Sequence, residues 1–373
     1  MSLPNWSYIH AERRFHYGTA PLAVMSFLYR AGTWLRLTAM KKRKRKELPG
    51  FTVSIGNLTT GGTGKTPAAI MIAGWARAEG YNVAVLSRGY RGSYDKRVFV
   101  VSDGHDIKAG PDQAGDEPFL MARRLNGVPV LVSKDRYLAG LAARDRFGTD
   151  FFILDDGFQH LILKRDLDIV LIDSSSPFGN GHLLPWGPLR EPVKQLQRAD
   201  AVIFSRYGSG RNGYDAEKDL KERLEGKVLF RADHRPEKVV FPLKGGAYGP
   251  EFLKGKRIVA FAGIARPEAF RETLISLGAD IVSFTVFKDH HVFRADDFRR
   301  LTAEKEKAGA EYLISTEKDW VRLEGLRPEY PDMAFLEIEF AFVSGREDFF
   351  NMVRERLENR SASRSSENNR LQE

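Results

Sequence analysis

The residues between Gly56 and Thr66 carry the clearest chemistry in the chain. They read Gly56-Asn57-Leu58-Thr59-Thr60-Gly61-Gly62-Thr63-Gly64-Lys65-Thr66, preceded by the β-prone residues 51–55 and followed by a helix-prone run from Pro67. Strand, glycine-rich loop, Gly-Lys-Thr and helix form the layout of a phosphate-binding loop. Glycines let backbone N–H groups turn inward around phosphate oxygens. Lys65 brings a positive charge to terminal phosphates, the Thr66 hydroxyl suits magnesium, and the following helix start adds partial positive charge. Pro67 is compatible with that start, where N–H groups lack intrahelical partners. Thr59 stands where the usual pattern has its first glycine, so Gly61 and Gly62 must supply the flexibility. The candidate nucleotide-binding residues are Thr59, Thr60, Gly61, Gly62, Thr63, Gly64, Lys65 and Thr66.

A second group supports the first. Phe151-Phe152-Ile153-Leu154 is a continuous apolar run ending in Asp155-Asp156-Gly157. Such runs suit strands buried on both faces of a parallel sheet. A carboxylate at the strand's C-terminal end lies where α/β proteins bind ligands, and in a phosphate-loop enzyme it holds magnesium directly or through water. Two strand-end aspartates that merely begin a turn are the plainer alternative.

These groups need a helix-covered, mostly parallel sheet. Extended segments at 83–87, 98–101, 128–132, 168–173 and 201–205 alternate with helical ones at 67–79, 117–125 and 136–147. A second alternation follows at 257–262, 268–277, 280–287, 295–308 and 311–315. The expected organisation is a basic amphipathic segment over 1–48, a phosphate-loop core over 49–225, a hinge over 226–255, a smaller α/β domain over 256–350 and a disordered tail over 351–373. The hinge rests on the Gly-rich run 245–250, and the tail on its Ser, Asn and charge content.

The chain has 373 residues, 42% of them hydrophobic, which suffices for two ordinary domains. It contains no cysteine, which rules out disulfides and thiolate catalysis. No secretory signal pattern opens it, and there is no histidine or carboxylate cluster with zinc spacing. Of the net charge of +9, residues 1–50 hold +8, with ten Lys or Arg against two Glu. The same arm carries Val24, Leu28, Ala31 and Leu35 at helical spacing, flanked by Phe27 and Trp34, with Ser26, Arg30 and Thr33 roughly opposite. Lys41-Lys42-Arg43-Lys44-Arg45-Lys46 follows. Arg30 and Arg36 interrupt the apolar run, so a helix lying in the interface of an anionic membrane fits better than one crossing it. Packing on the protein's own core and nucleic-acid binding are the competing readings; the near-neutral remainder of the chain argues against nucleic acid.

Taken in order, further motifs join the loop: Ser87-Arg88-Gly89-Tyr90-Arg91-Gly92, Gly115-Asp116-Glu117-Pro118, Asp155-Asp156-Gly157-Phe158-Gln159-His160, Leu184-Pro185-Trp186-Gly187-Pro188-Leu189-Arg190-Glu191-Pro192, Asp289-His290 and Thr316-Glu317-Lys318-Asp319. With them the chain resembles the tetraacyldisaccharide 4′-kinases, the lipid A 4′-kinases of Gram-negative bacteria, over about residues 10–345. The shifted glycine of the loop is part of that resemblance. It implies transfer of the γ-phosphate of ATP, with Mg2+, to the 4′-hydroxyl of an acylated glucosamine disaccharide 1-phosphate, by an enzyme peripheral to the cytoplasmic face of the inner membrane.

The resemblance also implies roles. Asp116 corresponds to the family's catalytic aspartate and would accept the hydroxyl proton, although capping of the next helix is a competing role. His290 would be its partner, with adjacent His291 the alternative, and its position in the second domain implies that the pair forms when the domains approach. Thr66, Asp155, Asp156 and Glu117 are the candidate metal ligands. Arg88, Tyr90, Arg190 and Glu191 are candidate substrate-binding residues, Arg190 as a planar fork oriented by Glu191. His160 and His182 read as structural. The alternative from another class is a membrane-recruited phosphate-loop ATPase acting as a switch; such loops carry a lysine where Thr60 stands. A GTPase is disfavoured because Lys318 falls one position late for a guanine motif.

Overall fold

The structure, a computed structural model, describes residue 10 and residues 19–208, 216–324, 326 and 330–370. Its main elements are α1 (Ala20–Lys41), β1 (Phe51–Gly56), α2 (Lys65–Ala78), β2 (Val83–Ser87), β3 (Phe99–Ser102), α3 (Asp116–Arg124), β4 (Val130–Val132), α4 (Arg136–Phe147), β5 (Phe151–Asp155), β6 (Leu167–Asp173), β7 (Ala201–Ser205), β8 (Val228–Val240), β9 (Ala247–Tyr248), β10 (Arg257–Ala262), α5 (Pro267–Ser276), β11 (Asp280–Val286), α6 (Ala295–Ala308), β12 (Tyr312–Thr316), α7 (Glu317–Glu324), β13 (Met333–Ser344) and α8 (Arg346–Arg370).

The chain forms two compact units, and their composition differs from the linear division expected above. One gathers the described parts of Met1–Arg88, Ser133–Asp233 and Ala341–Glu373; the other gathers Gly89–Val132 and His234–Phe340. Two of the four boundaries fall inside β8 and β13. Residues 89–132, expected in the phosphate-loop core, thus belong with the later residues. Local periodicity reports which segments are helix or strand and carries no information about which distant segments pack together.

In the first unit β2, β5, β1, β6, β7 and β8 pair in that order, all parallel. Strands β1, β5, β6 and β7 are buried along their whole lengths, as continuous apolar runs require. The tail expected to be disordered over 351–373 is helix α8 as far as Arg370, and residues 371–373 lie outside the described residues. The first turns of α8 bury Phe349, Phe350 and Val353, and Trp75 of α2 stacks on Phe350 with centroids 4.4 Å apart. Burying each such aromatic ring contributes roughly 2–3 kcal/mol. Arg360 then donates to Asp166 and to the Leu48 carbonyl, which anchors the helix further along.

Helix α1 belongs to this unit, and its docked face is the polar one. Ser26 and Thr33 are buried, whereas Val24, Met25, Phe27, Leu28, Trp34 and Leu35 are exposed, Phe27 at 71%. Three polar anchors hold it to one loop: Ser26 Oγ donates to the Leu183 carbonyl at 2.8 Å, the Tyr29 hydroxyl to the Arg190 carbonyl at 3.1 Å, and Arg36 Nη2 to Glu191 Oε1 at 2.6 Å. Among the described residues no helix is long and apolar enough to cross a membrane.

In the second unit β11, β10, β12 and β13 form a parallel sheet. Antiparallel β3–β4 and a short β8–β9 pairing complete its strands. One side of the parallel sheet packs Ile258, Ala260, Phe270 and Leu274, and the other Phe261, Phe293, Leu301 and Trp320. Helix α3 lies against α7. Arg124 of α3 meets Glu317 at 3.2 Å, Glu237 at 3.1 Å and Glu337 at 2.8 Å. Burial pushes Glu317 up to about 7 despite Arg124, with Glu337 adding to the rise, because one guanidinium cannot offset three carboxylates.

Candidate active site

The phosphate loop is narrower than its sequence suggests. Thr59 forms an isolated antiparallel bridge with Leu189, the Thr60 N–H donates to the Pro188 carbonyl at 2.7 Å, and the Arg190 N–H donates to the Leu58 carbonyl at 2.7 Å. Thr59 and the Thr60 N–H are therefore committed to a neighbouring strand-like segment, which leaves residues 61–66 as the candidate cradle. This explains why the usual first glycine is dispensable: position 59 is extended rather than turning around a phosphate. Gly64 takes the left-handed conformation, φ +90°, as N-cap of α2, so the helix start faces the loop.

Lys65 is nearly buried, with 9% of its side chain exposed, and its Nζ lies 3.3 Å from Asn57 Oδ1 and 3.6 Å from Asp156 Oδ1. Asn57 is fully buried, and its Nδ2 donates to Thr63 Oγ1 at 3.0 Å. Gln159 Nε2 holds the Asn57 carbonyl at 2.9 Å, and Ser205 Oγ holds the Thr63 carbonyl at 2.9 Å. Asn57, Gln159 and Ser205 are loop-shaping residues that the sequence reading did not single out. Asn57 and Gln159 lay inside quoted motifs; nothing local marked Ser205.

The two aspartates divide. Asp155 Oδ2 accepts a hydrogen bond from Ser87 Oγ at 2.9 Å, and its carbonyl accepts one from Arg136. Asp156 sits just beyond the strand at φ +49°, a conformation uncommon outside glycine and concentrated at functional sites. Arg190 Nη1 donates to its Oδ2 at 2.6 Å. Burial would raise its pKa, but Lys65 and then Arg190 outweigh it and hold the carboxyl well below the usual carboxylate range. Asp156 Oδ1 is buried and accepts no hydrogen bond. A buried anionic oxygen with spare acceptor capacity is a hard donor of the kind magnesium takes, so these residues fit that ion. Among the described residues no group of three or more His, Asp or Glu side chains gathers as a metal site, so Thr66 and phosphate oxygens would have to complete the shell.

Glu191 does not serve as expected. It is fully buried, with Oε1 accepting from Arg36 and Oε2 from Arg198, both at 2.6 Å. Charge pairing on both oxygens makes it the inner anchor of α1 rather than an orienter of Arg190 or a substrate ligand. Arg190 itself is placed by its main chain on both sides, through Leu58 and through Tyr29 of α1. Burial and then Arg136 lower His160 to about 4, so it is neutral near pH 7, and His182 stacks on Trp186 at 3.7 Å. Arg88 is an exposed side chain directly after β2.

The second unit holds the other constellation. Gly115, at φ +86°, precedes α3, and a Cβ there would lie 2.6 Å from the Tyr90 carbonyl, so only glycine fits. It is the N-cap position of α3, with no side-chain cap; Asp116 begins the helix and directs its carboxylate elsewhere. His290 Nδ1 is 3.0 Å from Asp116 Oδ2, and Arg322 Nε donates to that oxygen at 2.7 Å. The capping role weighed above is therefore not the one Asp116 plays. Nor does the pair await domain approach: both residues belong to one unit, because residues 89–132 do. His291 is occupied by Asp297 at 2.8 Å and stacks on Phe287, which leaves His290 as the partner. Burial would raise Asp116, but the hydrogen bond from His290 and the charge of Arg322 hold it at about 2. Tyr90 is exposed and edge-on to His290, and Arg91 Nη1 donates to the His290 carbonyl. Glu117 belongs to this unit and accepts from Lys318 Nζ at 2.6 Å.

A parallel α/β sheet with a phosphate loop at one strand end, and a half-buried carboxylate–histidine pair elsewhere in the chain, defines a phosphate-loop phosphotransferase. The profile of the family "Tetraacyldisaccharide-1-P 4′-kinase" matches residues 19–358. A tetraacyldisaccharide 4′-kinase of Syntrophus aciditrophicus is 43% identical over 90% of this chain and 92% of its own. One from Desulfatibacillum aliphaticivorans is 42% identical over 88% and 91%. The crystal structure of LpxK from Aquifex aeolicus in complex with ATP is 30% identical, covers 91% of this chain and 98% of its own, and superposes with a TM-score of 0.73. The chain belongs to the tetraacyldisaccharide-1-P 4′-kinase family, and it is an α/β kinase, as the resemblance implied.

Proposed function

We propose that this chain transfers the γ-phosphate of ATP to the 4′-hydroxyl of an acylated glucosamine disaccharide 1-phosphate, working at the cytoplasmic face of the inner membrane. The observation that carries the chemistry is the poise of Lys65, whose ammonium rests on Asn57 Oδ1 and beside Asp156 Oδ1 at the head of α2. Both are partners it can exchange for phosphate oxygens. Gly61 to Thr66 surround the phosphates with N–H donors, and Arg190 offers a planar second cation. Asp156 and Asp155, with Thr66, would hold Mg2+, which when bound neutralises charge on the β- and γ-phosphates. Asp116 accepts the hydroxyl proton; the freed oxygen bonds to the γ-phosphorus as the bond to the ADP oxygen breaks. A carboxylate held at about 2 is a weak base, so the transfer falls late, when the hydroxyl has become acidic in a loose transition state. Arg88 and Tyr90 are proposed to face the lipid substrate.

The direct test uses γ-labelled ATP, magnesium and a monophosphorylated acyl-glucosamine disaccharide in detergent micelles. Label at the 4′ position is expected; ATP hydrolysis without labelled lipid, stimulated by bare vesicles, would support the switch ATPase instead. That alternative is disfavoured because Thr60 replaces its lysine and spends its N–H on Pro188. A GTPase is disfavoured because Asp319 is fully buried and bonded to Thr316 and Gly263.

Membrane attachment through α1 is the second part of the proposal. Its polar side is spent on the protein and its apolar side faces outward, with Lys41–Arg45 immediately after. Each basic residue near an anionic surface contributes about 1 kcal/mol. The double substitution Phe27→Glu and Leu28→Glu should reduce binding to anionic vesicles at least about tenfold, since it removes two inserted side chains and adds repulsion. Turnover of detergent-dispersed substrate should stay within about threefold. Unchanged co-sedimentation of the double variant with vesicles would rule this attachment out.

A further inference from the structure

The Asp116–His290 pair is held by a third side chain that no motif marked. Arg322, on α7, is almost fully buried, with 6% of its side chain exposed. Its three nitrogens each have a distinct task. Nε donates to Asp116 Oδ2 at 2.7 Å; Nη1 donates to the Gly263 carbonyl at 2.7 Å and to Asp319 Oδ1 at 3.0 Å; Nη2 stands 3.2 Å from His290 Nδ1. The anchor behind it is rigid. Asp319 is fully buried, and its Oδ2 accepts from Thr316 Oγ1 at 2.6 Å and from the Gly263 N–H at 3.0 Å. The Gly263 carbonyl also accepts the His290 N–H at 3.1 Å, so one backbone unit ties Arg322 and His290 together.

Hydrogen-bond valence gives this arrangement a consequence. A guanidinium only donates, an ionised carboxylate only accepts, and a ring nitrogen has one in-plane position. His290 Nδ1 can give a proton to Asp116 Oδ2 or take one from Arg322 Nη2, but not both. Arg322 Nε and His290 Nδ1 both lie against Asp116 Oδ2, which leaves Oδ1 outside these two contacts.

We propose that Arg322 is the positioning residue of the pair: it fixes the Asp116 carboxylate so that Oδ1 meets the acceptor hydroxyl. This rests on Asp116 being the proton acceptor. A double-mutant cycle on the full-length enzyme tests it, with kcat, both KM values, ATP affinity and melting temperature measured for Arg322→Gln, Asp116→Ala and the double variant. Arg322→Gln should lower kcat about 30-fold or more, with KM for ATP changed less than about threefold; in the Asp116→Ala background it should cost less than about threefold further. Arg322→Lys should recover little, because one ammonium cannot span Asp116, Asp319 and Gly263 together. Equal losses from Arg322→Gln with and without Asp116 would overturn the proposal, as would wild-type kcat in either folded variant. If Arg322→Gln does not fold, the same cycle run with Arg322→Lys decides. A near-normal kcat for Asp116→Ala would instead refute the assignment of Asp116, a separate result.

Discussion

Lys65→Ala is expected to lower kcat by about 10³-fold and to weaken ATP binding as well. The size follows from what the ammonium touches. It is nearly buried and lies between Asn57 Oδ1 and Asp156 Oδ1 with no other lysine in the loop, so no neighbour can take its place at the terminal phosphates. Its loss also removes the largest favourable charge acting on Asp156, leaving that half-buried carboxylate to Arg190. Part of the damage is thus indirect: Arg190 becomes more tightly bound to Asp156 and less available to phosphate. Lys65→Arg should not rescue, since a planar fork does not fit a cavity shaped around a point charge. Steady-state kinetics with calorimetric ATP titration would separate the two effects, and a kcat within tenfold of wild type would mean that the loop amides and α2 carry the phosphates by themselves.

Much of this half of the site was legible in the sequence because its determinants are local. Strand, loop and helix adjoin in the chain, and each leaves a short-range mark: β-branched residues, glycines, a proline in the first turn. The apolar run into Asp155-Asp156 is equally local. Thr59 illustrates the limit. Its departure from the usual glycine can be noted in the sequence, but its reason is a bridge to Leu189, which is 130 positions away and carries no periodic signal. Glu191 fails for the same reason. Adjacent to Arg190, it reads as its companion; in space it belongs to Arg36 and Arg198. Arg190 reaches Asp156 while Glu191 turns to α1 and Arg198, so proximity in sequence was the wrong guide.

The second half was legible mainly through resemblance. Asp116 and His290 are separated by 174 positions, and only the family motif joins them before the structure does. The expectation that they meet on domain approach came from dividing the chain linearly, whereas residues 89–132 pack with 234–340. Arg322 shows what lay out of reach. It is three residues past Asp319, one helical turn beyond a quoted motif, and its charge suggests an exposed face. Burial beside two carboxylates is what identifies it. The C-terminal stretch misled in the opposite sense: residues 351–373 are polar in composition, but Phe349 and Phe350 just before them, with Val353, hold the start of a helix that runs on into them.

Asp116→Ala should reduce transfer by roughly 10²–10⁴-fold while ATP affinity stays within about threefold. Removing the carboxylate takes away the proton acceptor but none of the groups of the phosphate loop, so the loss should fall on kcat. Structural cost should be modest, because Asp116 is not the cap of α3 and its side chain is partly exposed. It will not be zero: Arg322 loses one of its two carboxylates and His290 its hydrogen-bond partner, and an orphaned buried donor costs about 1–3 kcal/mol. Asp116→Asn is the sharper variant. It retains size and can still accept from Arg322 Nε, yet cannot take a proton, so a loss as large as that of alanine assigns the effect to proton acceptance. Restored activity in Asp116→Asn would show that the carboxylate positions the acceptor. A parallel collapse of ATP affinity in either variant would show that Asp116 supports the nucleotide. With Asp116 held at about 2, the wild-type group is ionised throughout pH 5–9, so any fall in kcat across that range must come from another group.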